Sequence, residues 1–297
     1  MKQAVGLIGV GLMGHGIARN VLKHGYKLTI MNHEGNRPLD ELLTLGVATR
    51  ATAAEVAREA DVVILCVTGT KQVEDVVTSE SGVLSGLKPG AVVVDCSTAI
   101  PGSTIRMAAL VKANGGRFID APMTRTAQHA HEGRLNLLVG GAVETIEEVR
   151  PILSCFAENI DVVGAIGAGH KMKLLHNYVS IGFMTLLAEA AACAQRAEVS
   201  TKAFVDVLAS GGGGGVALER LKPYILSKDA SALQFFIANA LKDINYYREM
   251  AQETNAAREI ADAVAATYSG AVEAGVGQRM VPELVSFLAE SGEANDR

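Results

Sequence analysis

The chain has 297 residues, 49% hydrophobic and 20% charged, which suits one large or two ordinary domains and excludes a disordered polypeptide. Aromatic residues make up 4% and tryptophan is absent, so the expected core is aliphatic. A net charge of −5 without a basic stripe argues against a nucleic-acid partner, and an anionic substrate then needs local positive groups rather than a global field.

Taken in chain order, MKQAVGLIGVGLMG reads as a strand (4–10) running into a helix (15–25), not as a signal peptide, because glycines break its apolar run. Further strands are expected at 27–32, 61–67, 91–97, 117–122, 135–141 and 160–164. Helical segments fall around 54–58 and 73–77 and over 103–115 and 143–157. Short Val/Ile-rich runs alternating with helices imply βαβ units and a largely parallel sheet. After Gly164 no strand is expected. Helices are predicted over 168–197, 201–209, 216–227, 231–253, 256–274 and 280–290, with the glycine run 211–215 as a connector and SGEANDR as a frayed polar end. A helical half this rich in Ala and Leu suits burial against a second subunit. The four cysteines form no CxxC and read as buried free thiols of a reducing cytosol. The longest apolar stretch begins beside Lys173 and Asn177 and meets Glu189, which argues against a membrane span.

GLIGVGLMGHG holds G-x-G-x-x-G as Gly9, Gly11 and Gly14, after a strand and opening a helix, with Leu12 and Met13 in the turn. The first glycine allows the tight turn, the second admits a pyrophosphate, and the third permits close helix–strand packing. At the end of the next strand an acidic residue would select NAD. Here Asn32 and His33 stand there, followed by Arg37, which favours the 2′-phosphate of NADP; Glu34 nearby keeps NAD open. Ligands in such sheets bind beyond the carboxyl ends of strands, so Val67, Thr68, Thr98 and the segment Asp120–Thr126 are expected to border the cofactor. His129 and His131, spaced HAH, read as a surface turn and not a metal site, since no carboxylate or cysteine completes one.

Lys173, Asn177 and Ser180 recur at i, i+4 and i+7 and form a polar stripe on a helix, with His176 at its edge. Leu174, Leu175, Val179, Ile181, Phe183, Leu186 and Leu187 are expected to be buried around it. Spacing alone leaves open whether Lys173 reaches solvent beside His170 and Lys171 or serves a site. Burial lowers a lysine's pKa and suits it to give or take the proton that accompanies hydride transfer.

The chain resembles the β-hydroxyacid dehydrogenase family, which includes 3-hydroxyisobutyrate dehydrogenases and tartronate semialdehyde reductases. The resemblance rests on GLIGVGLMGHGIARNVLKHG, DCSTAIPGST, DAPMTRTAQHAHEGRLNLLVGG, GAGHKMKLLHN and the Lys-Asp pair of ALKDINYYREMA, and covers nearly the whole chain. It implies a Rossmann-like α/β domain (1–164) and an all-α substrate and dimerisation domain (165–297), joined by a long helix, in a cytoplasmic homodimer or homotetramer. It further implies that Lys173 carries the proton, that Asn177 orients the substrate, that Thr98 contacts the nicotinamide end, and that Lys242 and Asp243 lie near the cofactor and a closing cleft.

Two departures bear on the substrate. The family's loop DAPVSGG, which holds a carboxylate, reads DAPMTRT here: Thr124 replaces the Ser hydroxyl, and Arg125 and Thr126 replace the glycines. The guanidinium suits multi-oxygen anions. The family's Asn-Asn reads His176-Asn177. The Arg-Thr loop and KLLHNYVSIG resemble sulfolactaldehyde reductases, which read a sulfonate but carry an NAD-type Asp where Asn32 stands. The expected activity is interconversion of a small 3-hydroxy acid and its semialdehyde. The alternatives are a sulfonate reductase, an imine reductase (a group that generally lacks the lysine) and a non-catalytic cofactor-binding protein.

Overall fold

The computed structural model describes residues 2–294 and divides the chain between Lys173 and Leu174 into two compact units. In chain order the elements are β1 (Val5–Ile8), α1 (Gly14–Lys23), β2 (Leu28–Met31), α2 (Asp40–Thr44), β3 (Ala48–Arg50), α3 (Ala53–Glu59), β4 (Val62–Leu65), α4 (Thr70–Thr78), α5 (Val83–Gly86), β5 (Val92–Asp95), α6 (Pro101–Ala113), β6 (Arg117–Asp120), β7 (Met123–Thr124), α7 (Ala127–Glu132), β8 (Leu135–Gly140), α8 (Val143–Leu153) and β9 (Ala157–Gly164). Then follow α9 (Ala168–Arg196), α10 (Thr201–Ser210), α11 (Val216–Ser227), α12 (Ile237–Glu253), α13 (Glu259–Glu273), a 3-10 turn (Val281–Glu283) and α14 (Leu284–Ala294).

The first unit is a Rossmann-like layered α/β fold with strand order β3-β2-β1-β4-β5-β6-β8-β7, and β9 beside β8. The strands β3 to β6 are parallel, and β8 runs antiparallel to β6. Alternation along each strand divides its side chains between two cores. Leu7, Ile64 and Val94 face one, and Ile8, Leu65 and Val93 face the other. Because both faces are covered, β1, β4 and β5 are apolar without a polar face until the final residue of β5, Asp95. Register places Ile8 beside Leu65, Leu65 beside Asp95, and Asp95 beside Asp120. The carboxyl ends of four strands therefore lie in one row, and the loops that leave them start together. The elements α2, β3, α5 and β7 are too short to show a period and went unread in the sequence.

The second unit is helical and built around Leu218, Leu221, Ile237, Ile244, Tyr268 and Leu284. The helix expected from residue 231 begins at Ile237 instead. The preceding segment is held extended, as Val281 N–H donates to the Phe235 carbonyl and Ile237 N–H to the Arg279 carbonyl. The tail expected to fray continues α14 through Ala294, and the rest of it lies outside the described residues. The histidines read as a turn, His129 and His131, sit on α7, which Gly133 ends with φ +74°.

The helix α9 corrects the expected burial. Its buried seam runs through His170, Leu174, Asn177, Ile181, Met184, Ala188 and Ala191 at a 4-3 spacing, flanked by the equally buried Gly169, Thr185, Leu187 and Ala192. Leu175, Val179 and Leu186 lie on the opposite side and are 43%, 68% and 65% exposed, so they are not core residues of this chain. Cys193 is exposed as well, whereas Cys96 and Cys155 are buried and Cys66 is half-buried. By length and apolarity α9 could cross a membrane, but Ile181, Met184, Leu187 and Ala191 are spent on the helical core.

Candidate active site

The glycine turn lies between β1 and α1. Gly9 has φ +97°, and a Cβ there would stand 2.2 Å from the Cys66 carbonyl oxygen. A Cβ on Gly14 would stand 1.9 Å from the Gly9 carbonyl oxygen. Both glycines are needed for the chain to fold back on itself. Gly11 differs: a Cβ there meets nothing within 4 Å, so its space is open for a ligand. Among the described residues, α1 has no side-chain cap and no acidic residue in its first turn, and its positive end is uncompensated. An open glycine face beside an uncapped helix start fits a dinucleotide pyrophosphate.

The loop after β2 is laid against this turn. Arg37 N–H donates to the Val10 carbonyl at 2.9 Å, and Val10 N–H donates to Asn36 Oδ1 at 3.3 Å. Asn36 Nδ2 donates to the Met31 carbonyl at 3.0 Å. Asn32, His33 and Arg37 are all exposed in this loop. Asn36, which no sequence motif marks, is the clasp that sets their position.

At the row of strand ends, Val67 N–H donates to Ser97 Oγ at 3.0 Å, and Ser97 N–H to Asp95 Oδ1 at 2.9 Å. Ile100 N–H donates to Thr70 Oγ1 at 2.9 Å. The loops carrying Val67, Thr68 and Thr98 thus form one hydrogen-bonded shelf. Asp120 accepts the N–H groups of Gly167 (2.7 Å) and His170 (2.8 Å) at the start of α9. Burial raises the Asp120 carboxyl above its usual range, opposed by His170 and these two amides. Burial also pushes the Cys96 thiol well up, with Cys66 and Asp95 adding to the shift, so it is inert as a nucleophile. Lys173, one turn beyond His170, is half-buried.

The loop expected to hold substrate is short and braced. Thr124, 8% exposed, ends β7 and pairs with Asn136 on β8. Arg125 has φ +79°, a conformation that favours glycine and costs other residues on the order of 1 kcal/mol or more. Its Nη1 donates to Glu158 and to the Arg134 carbonyl, which holds the side chain in place. Its Nε and Nη2 make no hydrogen bond among the described residues. Thr126 Oγ1 lies 2.7 Å from His129 Nδ1.

The second unit supplies its own cluster. Asn177, 7% exposed, donates from Nδ2 to Asp243 Oδ2 at 2.7 Å. A carboxylate only accepts, so the amide's orientation is settled and Oδ1 turns to His176 Nδ1, 3.1 Å away. The Lys242 ammonium stands 3.0 Å from Asp243 Oδ1 and 5.1 Å from the Tyr246 ring centroid. Tyr178 and Tyr247 stack with centroids 4.0 Å apart, clamping α9 to α12 directly beside the Asn177–Asp243 pair. His176 itself is exposed. In the sequence Asp243 stands out only as the neighbour of Lys242; its hold on Asn177 spans 66 residues and no local pattern announces it.

Comparison with known proteins shows the family and the fold. Residues 4–164 match the NAD binding domain of 6-phosphogluconate dehydrogenase, and residues 167–288 match the NAD-binding domain of NADP-dependent 3-hydroxyisobutyrate dehydrogenase. The 3-sulfolactaldehyde reductase of Escherichia coli is 32% identical over 279 residues, 93% of this chain and 92% of that protein. The cytokine-like nuclear factor N-PAC of Xenopus tropicalis is 29% identical over 267 residues, which span 90% of this chain and 50% of that protein. Among solved structures, 3-hydroxyisobutyrate dehydrogenase from Mycobacterium tuberculosis with L-serine superposes with TM-score 0.85 at 25% identity, covering 97% of this chain and 99% of that one.

Proposed function

The chain belongs to the β-hydroxyacid dehydrogenase family, and on that premise we propose that it interconverts a small 3-hydroxy acid and its semialdehyde, with Lys173 as general acid and base. The observation that carries this reading is Asn177. A buried amide is costly unless satisfied, and Asp243 holds this one in a single orientation, one helical turn beyond a half-buried lysine. A nicotinamide dinucleotide held at the turn of Gly9, Gly11 and Gly14 would supply or take up the hydride at the carbon that bears the oxygen. In reduction, the electron pair of the C=O bond moves to oxygen, and Lys173 Nζ gives that oxygen a proton. In oxidation Lys173 takes the proton back. Asn177 orients the substrate, and Thr124 with Arg125 holds its acid group. NADP is the favoured cofactor, since Asn32, His33 and Arg37 offer neutral and positive groups where an acidic side chain would repel a 2′-phosphate.

The test is cofactor oxidation by the purified protein, NADPH and NADH in parallel, against succinic, methylmalonic and tartronic semialdehydes, sulfolactaldehyde and a cyclic imine. Turnover of a carboxylate semialdehyde with NADPH is expected. Cofactor binding without any turnover would instead support a non-catalytic binding role, and turnover of the imine alone would overturn the hydroxyacid reading.

A sulfonate substrate is the second reading, favoured by the Arg125 fork and by the kinship with a sulfolactaldehyde reductase. Both readings use the two nitrogens, Nε and Nη2, that Arg125 leaves unspent. Arg125→Ala is therefore expected to raise KM for the turned-over anion about tenfold or more, the scale of a charge-assisted hydrogen bond, with kcat less affected. Arg125→Lys should not restore it, because an ammonium lacks the planar fork. An unchanged KM in Arg125→Ala would leave the acid group to Thr124 and the loop amides.

A homo-oligomer is proposed from α9. Its outer face repeats Met172, Leu175, Val179 and Leu186, exposed by 40% to 68% in the single chain, at the same 3-4 spacing as its buried seam. Sedimentation is expected to give a dimer or larger assembly, and Val179→Glu with Leu186→Glu to shift it toward monomer. A wild-type monomer at micromolar concentration would refute this.

A further inference from the structure

We propose that His170 is a positioning residue that ties the helix turn carrying Lys173 to the loop carrying Thr98; this rests on the reading of Lys173 as proton carrier. The imidazole is completely enclosed, at 0% exposure, directly beside the exposed Lys171. Its Nε2 lies 3.1 Å from the Ser97 carbonyl oxygen. A carbonyl only accepts, so Nε2 carries the proton and donates it. Its Nδ1 lies 2.8 Å from Thr104 Oγ1, which is itself 3.3 Å from the Ile100 carbonyl. That hydroxyl can donate to a neutral ring, or accept from a charged ring while donating to Ile100. Both nitrogens are therefore engaged in either charge state, and the ring has no free position from which to exchange protons with a substrate.

What the ring joins explains its placement. Ser97 is fastened to the ends of β4 and β5 through Val67 N–H and Asp95, and it directly precedes Thr98. His170 heads the first turn of α9, and Lys173 follows three residues later on the same helix. Asp120 already holds that turn to β6 through two amides, and Gly169 packs so closely that a Cβ would come 2.3 Å from the Leu138 carbonyl. Those contacts fasten α9 to β6 and β8 alone. The imidazole is the member of this cluster that reaches across to the loop after β5 and to α6. It sets the distance from the lysine's turn to the loop assigned to the nicotinamide end. Two carboxylates stand beside it, Asp95 Oδ2 3.9 Å from Nε2 and Asp120 Oδ2 3.7 Å from Nδ1.

The test compares wild type with His170→Phe, His170→Gln and Thr104→Val, by steady-state kinetics and by hydrogen exchange over residues 165–175, with Lys173→Ala as reference. His170→Phe is expected to lower kcat about 10- to 100-fold, the scale of a misplacement near 1 Å, and to speed exchange in the first turn of α9. The KM for substrate and the Kd for cofactor should stay within about threefold, since the loss falls on the reacting geometry rather than on binding. His170→Gln, whose Nε2 can reach Ser97, should recover most of both. Thr104→Val keeps the ring but removes one partner, and should lower kcat about threefold or more even if His170→Phe fails to fold. Unchanged kcat and unchanged exchange in His170→Phe, or in Thr104→Val where the former is insoluble, would overturn the proposal and leave Asp120 and Gly169 as sufficient anchors. A drop in kcat that His170→Gln does not rescue would overturn the directional role of Nε2. If Lys173→Ala retains full turnover while exchange still rises in His170→Phe, the lysine reading fails and the tie stands.

Discussion

Lys173→Ala is expected to lower kcat by about 10²- to 10⁴-fold, the range that a positioned general acid contributes, while the cofactor still binds. Alanine is the strongest helix former, so α9 should persist. The first turn remains fastened by Asp120 and Lys173 is not part of the buried seam, so the melting temperature should move little. Equal losses in kcat and in kcat/KM would mark an interaction made only in the transition state. Lys173→Arg separates charge from proton transfer. A guanidinium keeps the positive charge but stays protonated at any working pH, so it should leave KM near the wild-type value and not restore turnover. Stopped-flow measurement of cofactor oxidation with the best substrate of the panel reads both. Turnover within a few-fold of wild type in Lys173→Ala would remove the lysine from the mechanism and leave water or another residue to move the proton.

The second large effect separates two glycines of one motif. Gly14→Ala places a methyl 1.9 Å from the Gly9 carbonyl, where backbone meets backbone and neither side can turn away. Overpacking of this kind costs about 1–3 kcal/mol and more where nothing yields, so Gly14→Ala should lose both stability and cofactor binding. Gly11→Ala places its methyl in open space, and the glycine does not sit in the left-handed region. The unliganded fold should be unchanged by thermal melting. Cofactor affinity should nonetheless fall at least tenfold, about 1.4 kcal/mol, because the methyl fills the space through which a pyrophosphate approaches the backbone. Binding by Gly11→Ala at wild-type affinity would mean that no phosphate lies against that face.

The contrast shows what a local motif can and cannot say. G-x-G-x-x-G in the sequence marks the turn, and the short Val/Ile-rich runs mark the parallel strands, because both signals are carried by neighbours in the chain. The same logic missed β3 and β7, whose three and two residues are too few to show alternation. It read α12 six residues too long, because helix propensity at 231–236 was outweighed by pairing with residues 279–281. It took Leu175, Val179 and Leu186 for core because apolar side chains on a helix are usually covered, and it had no means of asking which of two seams this chain covers itself.

What the sequence by itself determined is the order of strands and helices in the first half, the glycine turn, the long helix with Lys173 and Asn177 one turn apart, and through these the family. Each is a matter of composition and spacing within a few residues. The tertiary structure decided which groups those residues work with. Asp243 orients Asn177 across 66 positions, Ser97 receives His170 across 73, and Glu158 anchors Arg125 across 33. A buried polar group must find its partner wherever folding brings one within reach. Such a partner is chosen by packing in space, and no period along the chain records the choice.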